Sequence, residues 1–142
     1  MAVLHFVNQT PVEWFSKKQN TVETSTYGSE FVAARTATEK IINLRYTLRY
    51  LGVSLIQSVL FGDNHSVVDS SAIPQSKFHK RHTIVSYHRV REAIAANIFQ
   101  FYHINGDENP ADILSKHWAY PKIWPMLQPL MFWRGDTLDI SS

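Results

Sequence analysis

The sequence predicts an α/β domain in which a mixed β-sheet is flanked by helices. Three observations predict it: a pair of short strands at the start, a long amphipathic helix after them, and two later apolar runs separated by a helix. With 142 residues, 44% of them hydrophobic, the chain can bury a core of its own. We therefore expect residues 1–142 to form a single domain, with residues 119–142 as an aromatic and proline-rich C-terminal extension.

Composition restricts the kinds of site that the chain can carry. The absence of cysteine excludes disulfides and thiolate metal sites, so any metal must be held by oxygen or imidazole, which favours Mg²⁺ or Mn²⁺. No apolar run approaches the ~20 residues that span a bilayer, and the first residues lack the features of a secretion signal. We expect an intracellular protein without a membrane partner.

The first elements are a hairpin and a long helix. Residues 2–7 and 12–15 read as strands around the turn 8–11, and a helix runs from a cap at Ser25 or Thr26 to about Leu51, where Gly52 ends it. One face of this helix is apolar except near its N-terminus, where Glu30 lies. Glu30 either serves a site at the edge of the core or simply favours the helix dipole.

Strands and helices then alternate. Residues 55–61 lack clean alternation, which is typical of a strand buried on both faces. Asp63 follows its carboxyl end, where ligand sites gather in α/β sheets, although aspartate is also a common turn residue. Asn64 or Ser66 can cap a short helix at 66–71. After a loop at 72–80, we expect a helix at 82–96, with core contacts from Ile84, Val90, Ile94 and Ala95, and a last strand at 97–104.

The C-terminal quarter begins with the segment GDENPADILSKHW, residues 106–118. Asn109 and Pro110 read as the N-cap and first residue of a helix at 110–118, which puts Asp112 where a carboxylate can meet free N–H groups. Asp112 therefore either stabilises the helix start or holds a metal ion. Residues 120–133 form either a packed helix broken near Pro125 and Pro129 or an apolar surface for a partner.

Charge is unevenly distributed along a chain whose net charge is only +2. No acid occurs from Ser70 to Arg91, a span that also holds Lys77, Lys80, Arg81 and Arg89. This run is either a solvated helix face or a phosphate-binding surface. The acids Glu30, Asp63 and Asp112 lie at the ends of predicted elements, and the fold could bring these ends together at one edge of the sheet. Converging carboxylates require divalent cations, and two metals ~3.5–4 Å apart can drive phosphodiester cleavage.

Four segments, WFSKKQNTVETSTYGSEFVAA, FGDNHSVV, KRHTIVSYHRVREAI and ENPADILSK, occur in this order along almost the whole chain. Together they resemble the ribonuclease H domain that ends the Pol polyprotein of copia-type (Pseudoviridae-like) LTR retrotransposons. The resemblance implies a ribonuclease H-like mixed sheet of five strands and a metal-dependent endoribonuclease. Two Mg²⁺ (or Mn²⁺) ions would serve cleavage of the RNA strand of an RNA–DNA hybrid. The reverse transcriptase portion of the same polyprotein would be a partner, in a cytoplasmic particle or the nucleus, with no small-molecule cofactor.

The resemblance also implies roles for single residues. Glu30, Asp63 and Asp112 match the family's catalytic, metal-binding acids, and His103 lies close to the position of its proton-shuttling histidine. Hybrid recognition would use phosphates and ribose hydroxyls rather than base sequence. The expected nucleic-acid contacts are Lys17, Lys18, Asn64, Lys80, Arg81 and Arg89.

One departure from the family pattern affects both fold and activity. The family's first catalytic aspartate lies on a strand before the hairpin, whereas here no acid precedes Glu13, which matches no catalytic position. We therefore expect an N-terminally truncated domain that lacks its first strand and has impaired activity. The alternative is a catalytically inactive nucleic-acid-binding or assembly module of a polyprotein. An enzyme with a histidine-bound metal is disfavoured because no HExxH motif is present.

Overall fold

The computed structural model describes residues 1–8, 10–18, 26–55, 57–72 and 81–131. The elements are, in chain order, β1 (Ala2–Val7), β2 (Thr10–Ser16), α1 (Thr26–Tyr50), β3 (Ser58–Gly62), α2 (His65–Ala72), α3 (Arg81–Ala95), β4 (Phe99–His103) and α4 (Tyr120–Met131). Short 3₁₀ helices occupy Gly106–Glu108 and Pro110–Leu114. The mixed α/β class is confirmed.

The chain divides into two compact units. The helical unit comprises Met1 and Lys18–Asn109, and the hairpin unit comprises Ala2–Lys17 and Pro110–Ser142. Across the described residues, four strands form two pairs, β1 with β2 and β3 with β4. Two expectations therefore stay predictions: that the strands form a single five-stranded sheet, and that the domain lacks the first strand of that sheet. Within the described ranges, no helix combines the length and apolarity that a membrane crossing requires.

Helix α1 follows the predicted apolar stripe and ends as predicted. Ala34, Ala37 and Ile41 are buried, so the middle of the stripe faces the core. At the C-terminus, Gly52 has φ of 81°, which glycine adopts without steric cost. The Gly52 N–H donates to the Arg49 carbonyl at 3.0 Å and the Val53 N–H to the Leu48 carbonyl at 2.9 Å. This Schellman pattern satisfies carbonyls that the helix end would leave unpaired. The predicted cap at Ser25 lies outside the described residues.

The core of the helical unit lies where α1, α2 and α3 meet the strands β3 and β4. One buried cluster comprises Ala34, Ile41, Val90, Ala93 and Phe99. A second comprises Phe31, Val67 and Tyr87, and Phe101 packs against both. The predicted helix at 82–96 is confirmed, but Ala95 is exposed and not a core contact. The buried face instead passes through Tyr87, Val90 and Ala93, which recur at intervals of three residues.

Strands β3 and β4 are parallel, with Ser58 opposite Phe99 and Gly62 opposite His103. The prediction that β3 is buried on both faces is wrong. Val59 and Phe61 are 43% and 57% exposed, whereas Leu60 between them packs against the core. The physical reason is that helices of this unit cover one face of a two-stranded sheet, so side chains alternate between core and solvent.

The hairpin unit is built on the antiparallel pair β1 and β2, which confirms the predicted hairpin. Ala2 lies opposite Ser16, and the register shifts between His5 and Phe6. His5 is buried, and its ring lies opposite Glu13, with 3.2 Å between Nδ1 and the carboxylate oxygen Oε2. The Ser16 hydroxyl donates to the Leu114 carbonyl at 2.9 Å, which ties the end of β2 to the 3₁₀ helix Pro110–Leu114.

Two predictions for the C-terminal quarter need correction. The helix expected at 110–118 is a 3₁₀ helix that ends at Leu114, and Asn109 ends the preceding 3₁₀ turn instead of capping an α-helix. Helix α4 continues through Pro125 and Pro129, where a break was expected. Pro121, Pro125 and Pro129 recur every four residues on the exposed side, so carbonyls that lose a helical partner face water. No residue of α4 is buried.

Candidate functional site

Asp63 lies at the carboxyl edge of the parallel strands, as the sequence predicts. Gly62 ends β3 and Asp63 follows it directly, half-buried. The Ile104 N–H donates to the Gly62 carbonyl at 2.9 Å, which carries the strand pairing up to this point. Parallel strands bring their carboxyl ends to the same edge, so the residues after β3 and at the end of β4 become neighbours.

The neighbour from β4 is His103, the last residue of that strand. Its Nε2 atom lies 3.2 Å from the Asp63 carbonyl oxygen. A carbonyl oxygen can only accept a hydrogen bond, so Nε2 carries the proton and, in the neutral ring, Nδ1 is the acceptor nitrogen. The expected position of His103 at a strand end is confirmed, and the contact with Asp63 fixes which ring nitrogen can take up a proton.

A second histidine, for which the sequence predicts no role, packs on the first. The rings of His65 and His103 are stacked, with 3.3 Å between centroids and 12° between planes. His65 is the first residue of α2, and Asn64 before it caps that helix, with 3.3 Å between its side-chain oxygen and the Val67 nitrogen. The only sequence signal for this contact is that both histidines flank predicted element ends. Their meeting depends on the parallel pairing.

Gly106 lies beside the Asp63 carboxylate. A Cβ atom added at Gly106 would lie 3.7 Å from the Asp63 Oδ2 atom, an ordinary van der Waals contact. Gly106 opens the 3₁₀ turn that follows β4. The backbone of this turn therefore lies close to the carboxylate without a side chain between them.

Glu30 lies near the start of α1, half-buried. Its neighbour Phe31 is fully buried and packs with Val67 and Tyr87. Val67 belongs to α2, the helix that begins two residues after Asp63. The start of α1 thus packs against the helix that follows Asp63.

Asp112 belongs to the hairpin unit and is 8% exposed. Its carboxylate accepts a hydrogen bond from the Lys116 ammonium at 2.7 Å, in an i, i+4 ion pair. Its carbonyl oxygen accepts from the Trp118 indole at 2.9 Å and from the Lys116 N–H at 3.1 Å. These bonds tie the residues after Leu114 back to the 3₁₀ helix Pro110–Leu114.

The donor atoms of the three acids suit a hard divalent cation, because carboxylate oxygens are the ligands that Mg²⁺ prefers. Within either unit, however, no three described His, Asp or Glu side chains lie close enough together to share a metal ion. The metal roles of Glu30, Asp63 and Asp112 therefore stay predictions.

The predicted nucleic-acid contacts have different surroundings. Lys17 and Lys18 are exposed after β2. Arg89 is held by Glu39, with 2.6 Å between Nε and Oε1 and 3.3 Å between Nη2 and Oε2. This hydrogen bond raises the pKa of Arg89 and lowers the pKa of Glu39. Lys80 and the side chain of Arg81 lie outside the described residues.

Comparison with known proteins relates the chain to plant retrotransposons. It is 35% identical over 107 residues to the retrovirus-related Pol polyprotein from transposon TNT 1-94 of Nicotiana tabacum, a match that covers 74% of the chain. It is 24% identical over 112 residues, or 78% of the chain, to the corresponding polyproteins from transposons RE1 and RE2 of Arabidopsis thaliana. Each match spans 8% of the relative's length. No protein-family model and no solved structure matches the chain. The chain is thus homologous to a short part of retrotransposon Pol polyproteins.

Proposed function

We propose that the chain is a retroelement-derived ribonuclease H domain that cleaves the RNA strand of RNA–DNA hybrids. The observation that carries the proposal is the edge formed by Asp63 and His103, which places a carboxylate and a proton acceptor at the carboxyl ends of two parallel strands. The similarity to Pol polyproteins supports a retroelement origin. The ribonuclease H-like arrangement of the two strand pairs is part of the proposal.

Glu30, Asp63 and Asp112 would hold two Mg²⁺ (or Mn²⁺) ions. Bound there, the ions would neutralise the carboxylates, lower the pKa of a bound water and stabilise the leaving oxygen. Asp112 would first exchange its contact with the Lys116 ammonium for a cation. His103 would take up a proton at Nδ1, since its Nε2 proton is donated to the Asp63 carbonyl. The ring of His65, stacked on that of His103, would keep Nδ1 in a fixed direction.

The substrate would be recognised through its backbone. Lys17 and Lys18 are exposed after the end of β2, where long basic side chains can reach phosphates. Asn64 lies beside Asp63, and the predicted contacts at Lys80 and Arg81 would extend the basic surface. Arg89 contributes only if its pair with Glu39 opens. The reverse transcriptase portion of the polyprotein would deliver the hybrid.

The test is cleavage of a fluorescent RNA–DNA hybrid by the 142-residue chain in the presence of Mg²⁺. Asp63→Asn should lower the cleavage rate by about 100-fold or more, because electrostatic stabilisation by a bound metal is worth several kcal/mol. Asp69→Asn is the matched control, since Asp69 is an exposed acid on the adjacent helix α2. Equal cleavage by Asp63→Asn and the control would contradict the proposed site.

A second candidate is a module that binds hybrid without cutting it. It is favoured by the finding that no three described acids or histidines gather within either unit. Such a module would bind hybrid equally well in EDTA and in Mg²⁺, and would release no RNA fragments. Cleavage by the wild type that depends on Mg²⁺ and on Asp63 would exclude it.

A further inference from the structure

The last two turns of α1 expose an aromatic and basic surface. Tyr46 and Tyr50 are 70% and 91% exposed. They lie four residues apart, on one face of the helix and about 6 Å apart along its axis. Tyr46, Thr47, Arg49 and Tyr50 line one open depression. We call Tyr46, Arg49 and Tyr50 the tyrosine surface.

The charge around the tyrosine surface favours a polyanion. No acidic residue occurs from Lys40 to Gly62, whereas Lys40, Arg45 and Arg49 each add a positive charge. The acid that precedes this span, Glu39, is neutralised by its ion pair with Arg89. A chain with a net charge of only +2 therefore concentrates positive charge along the C-terminal half of α1.

The two rings are carried by a rigid part of the molecule. The Schellman bonds at Gly52 and Val53 close the end of α1 directly after Tyr50. One turn earlier, the Arg45 guanidinium donates to the Ser58 hydroxyl at 2.7 Å and so ties α1 to β3. A ligand that stacks on Tyr46 and Tyr50 therefore orders little of the backbone, which lowers the entropic cost of binding.

We propose that the tyrosine surface binds unpaired nucleic acid. Bases would stack on the rings of Tyr46 and Tyr50, while the Arg49 guanidinium would contact a phosphate. A single strand offers the faces of its bases, whereas a duplex or hybrid offers mainly its phosphates to such a surface. The site uses none of Glu30, Asp63 and Asp112, so it is independent of the proposed cleavage.

The experiment measures fluorescence anisotropy of a labelled oligothymidylate of about 20 nucleotides, long enough for an ordinary single-strand site, titrated with the full chain. Stacking on an aromatic ring is worth ~1–3 kcal/mol per base, so Tyr46→Ala/Tyr50→Ala should weaken binding at least about tenfold. Tyr46→Phe/Tyr50→Phe keeps both rings and should bind like the wild type. Arg49→Gln should lower the slope of log affinity against log salt by about 0.7.

Tyr120→Ala is the matched control, because Tyr120 is 69% exposed on α4 and lies outside the basic span. It should leave affinity unchanged, and circular dichroism should show that every variant keeps the wild-type helix content. Three results would overturn the proposal: no binding of oligothymidylate by the wild type, equal affinities of wild type and Tyr46→Ala/Tyr50→Ala, or an equal loss in Tyr120→Ala. If Tyr46→Ala/Tyr50→Ala keeps its affinity but no longer self-associates in sedimentation, the surface binds a second copy of the chain instead.

Discussion

Gly62 ends β3 directly before Asp63, and a single methyl group added there tests how closely the strands pack. A Cβ atom at Gly62 would lie 2.9 Å from Cε2 and 3.1 Å from Cζ of Phe101. The Phe101 ring packs against both core clusters, so it cannot move away without disturbing one of them. Overpacking of this kind lowers the free energy of unfolding by about 1–3 kcal/mol. The lower conformational entropy of the unfolded variant offsets about 0.4–1 kcal/mol of this loss. We expect Gly62→Ala to lower the free energy of unfolding by about 1–2 kcal/mol.

Thermal denaturation followed by circular dichroism measures this cost. At ~2.1 cal/mol/K per residue, 142 residues give an unfolding entropy of about 0.3 kcal/mol/K, so Tm should fall by about 3–7 °C. Gly106→Ala is the matched control, since its added Cβ would meet the Asp63 carboxylate only at 3.7 Å. Phe101→Leu combined with Gly62→Ala should cost less than the sum of the two changes, because the smaller side chain makes room. Equal Tm values for Gly62→Ala and Gly106→Ala, or strict additivity in the double variant, would refute the reasoning.

Two further predictions concern the ion pair between Glu39 and Arg89. The Arg89 hydrogen bond holds the pKa of Glu39 below its usual range, so the pair stabilises the fold above the glutamate pKa of the unfolded chain, and this contribution is lost as pH falls through the lower folded pKa. In urea denaturation, Glu39→Gln should lower the free energy of unfolding by about 0.5–1 kcal/mol at about pH 7 and should not change it in acid. A decrease that persists in acid would contradict an ionic cause. In hybrid binding, Arg89→Ala should leave the salt slope unchanged because its guanidinium is already paired, whereas a decrease of about 0.7–0.9 would show that the pair opens for phosphate.

Local signals in the sequence predicted the ends of helices and strands where one residue has a strong conformational or hydrogen-bonding preference. The end of α1 followed from Gly52, since few other residues adopt its φ of 81° without cost. The start of α2 was predicted from two possible caps, Asn64 and Ser66, and it is the side-chain oxygen of Asn64 that accepts a hydrogen bond from the helix. The position of Asp63 followed from its place just past the carboxyl end of an apolar run. In each case one or two neighbouring residues determine the outcome, so the sequence contains the necessary information.

The features that the sequence did not predict depend on contacts between distant residues. The stacking of His65 on His103 requires the parallel register of β3 and β4, which no local pattern specifies. The exposure of Phe61 depends on which face of the sheet is covered by helices. The ion pair of Arg89 with Glu39 joins residues fifty positions apart and gives a predicted phosphate contact an acidic partner within the chain.

Asp112 is a buried acid whose carboxylate and carbonyl have separate partners. A carboxylate removed from water needs a positive partner, and Lys116, four residues on, supplies one at 2.7 Å. The charge of Asp112 is thus compensated within the chain, and its carbonyl anchors the turn through Trp118. A divalent ion would replace the ammonium at the carboxylate and leave the carbonyl contacts unchanged. Because the side chain of Lys116 is mostly exposed, its ammonium can return to water at little cost. The structural role therefore rests on the carbonyl of Asp112, and the proposed metal role would fall to its carboxylate.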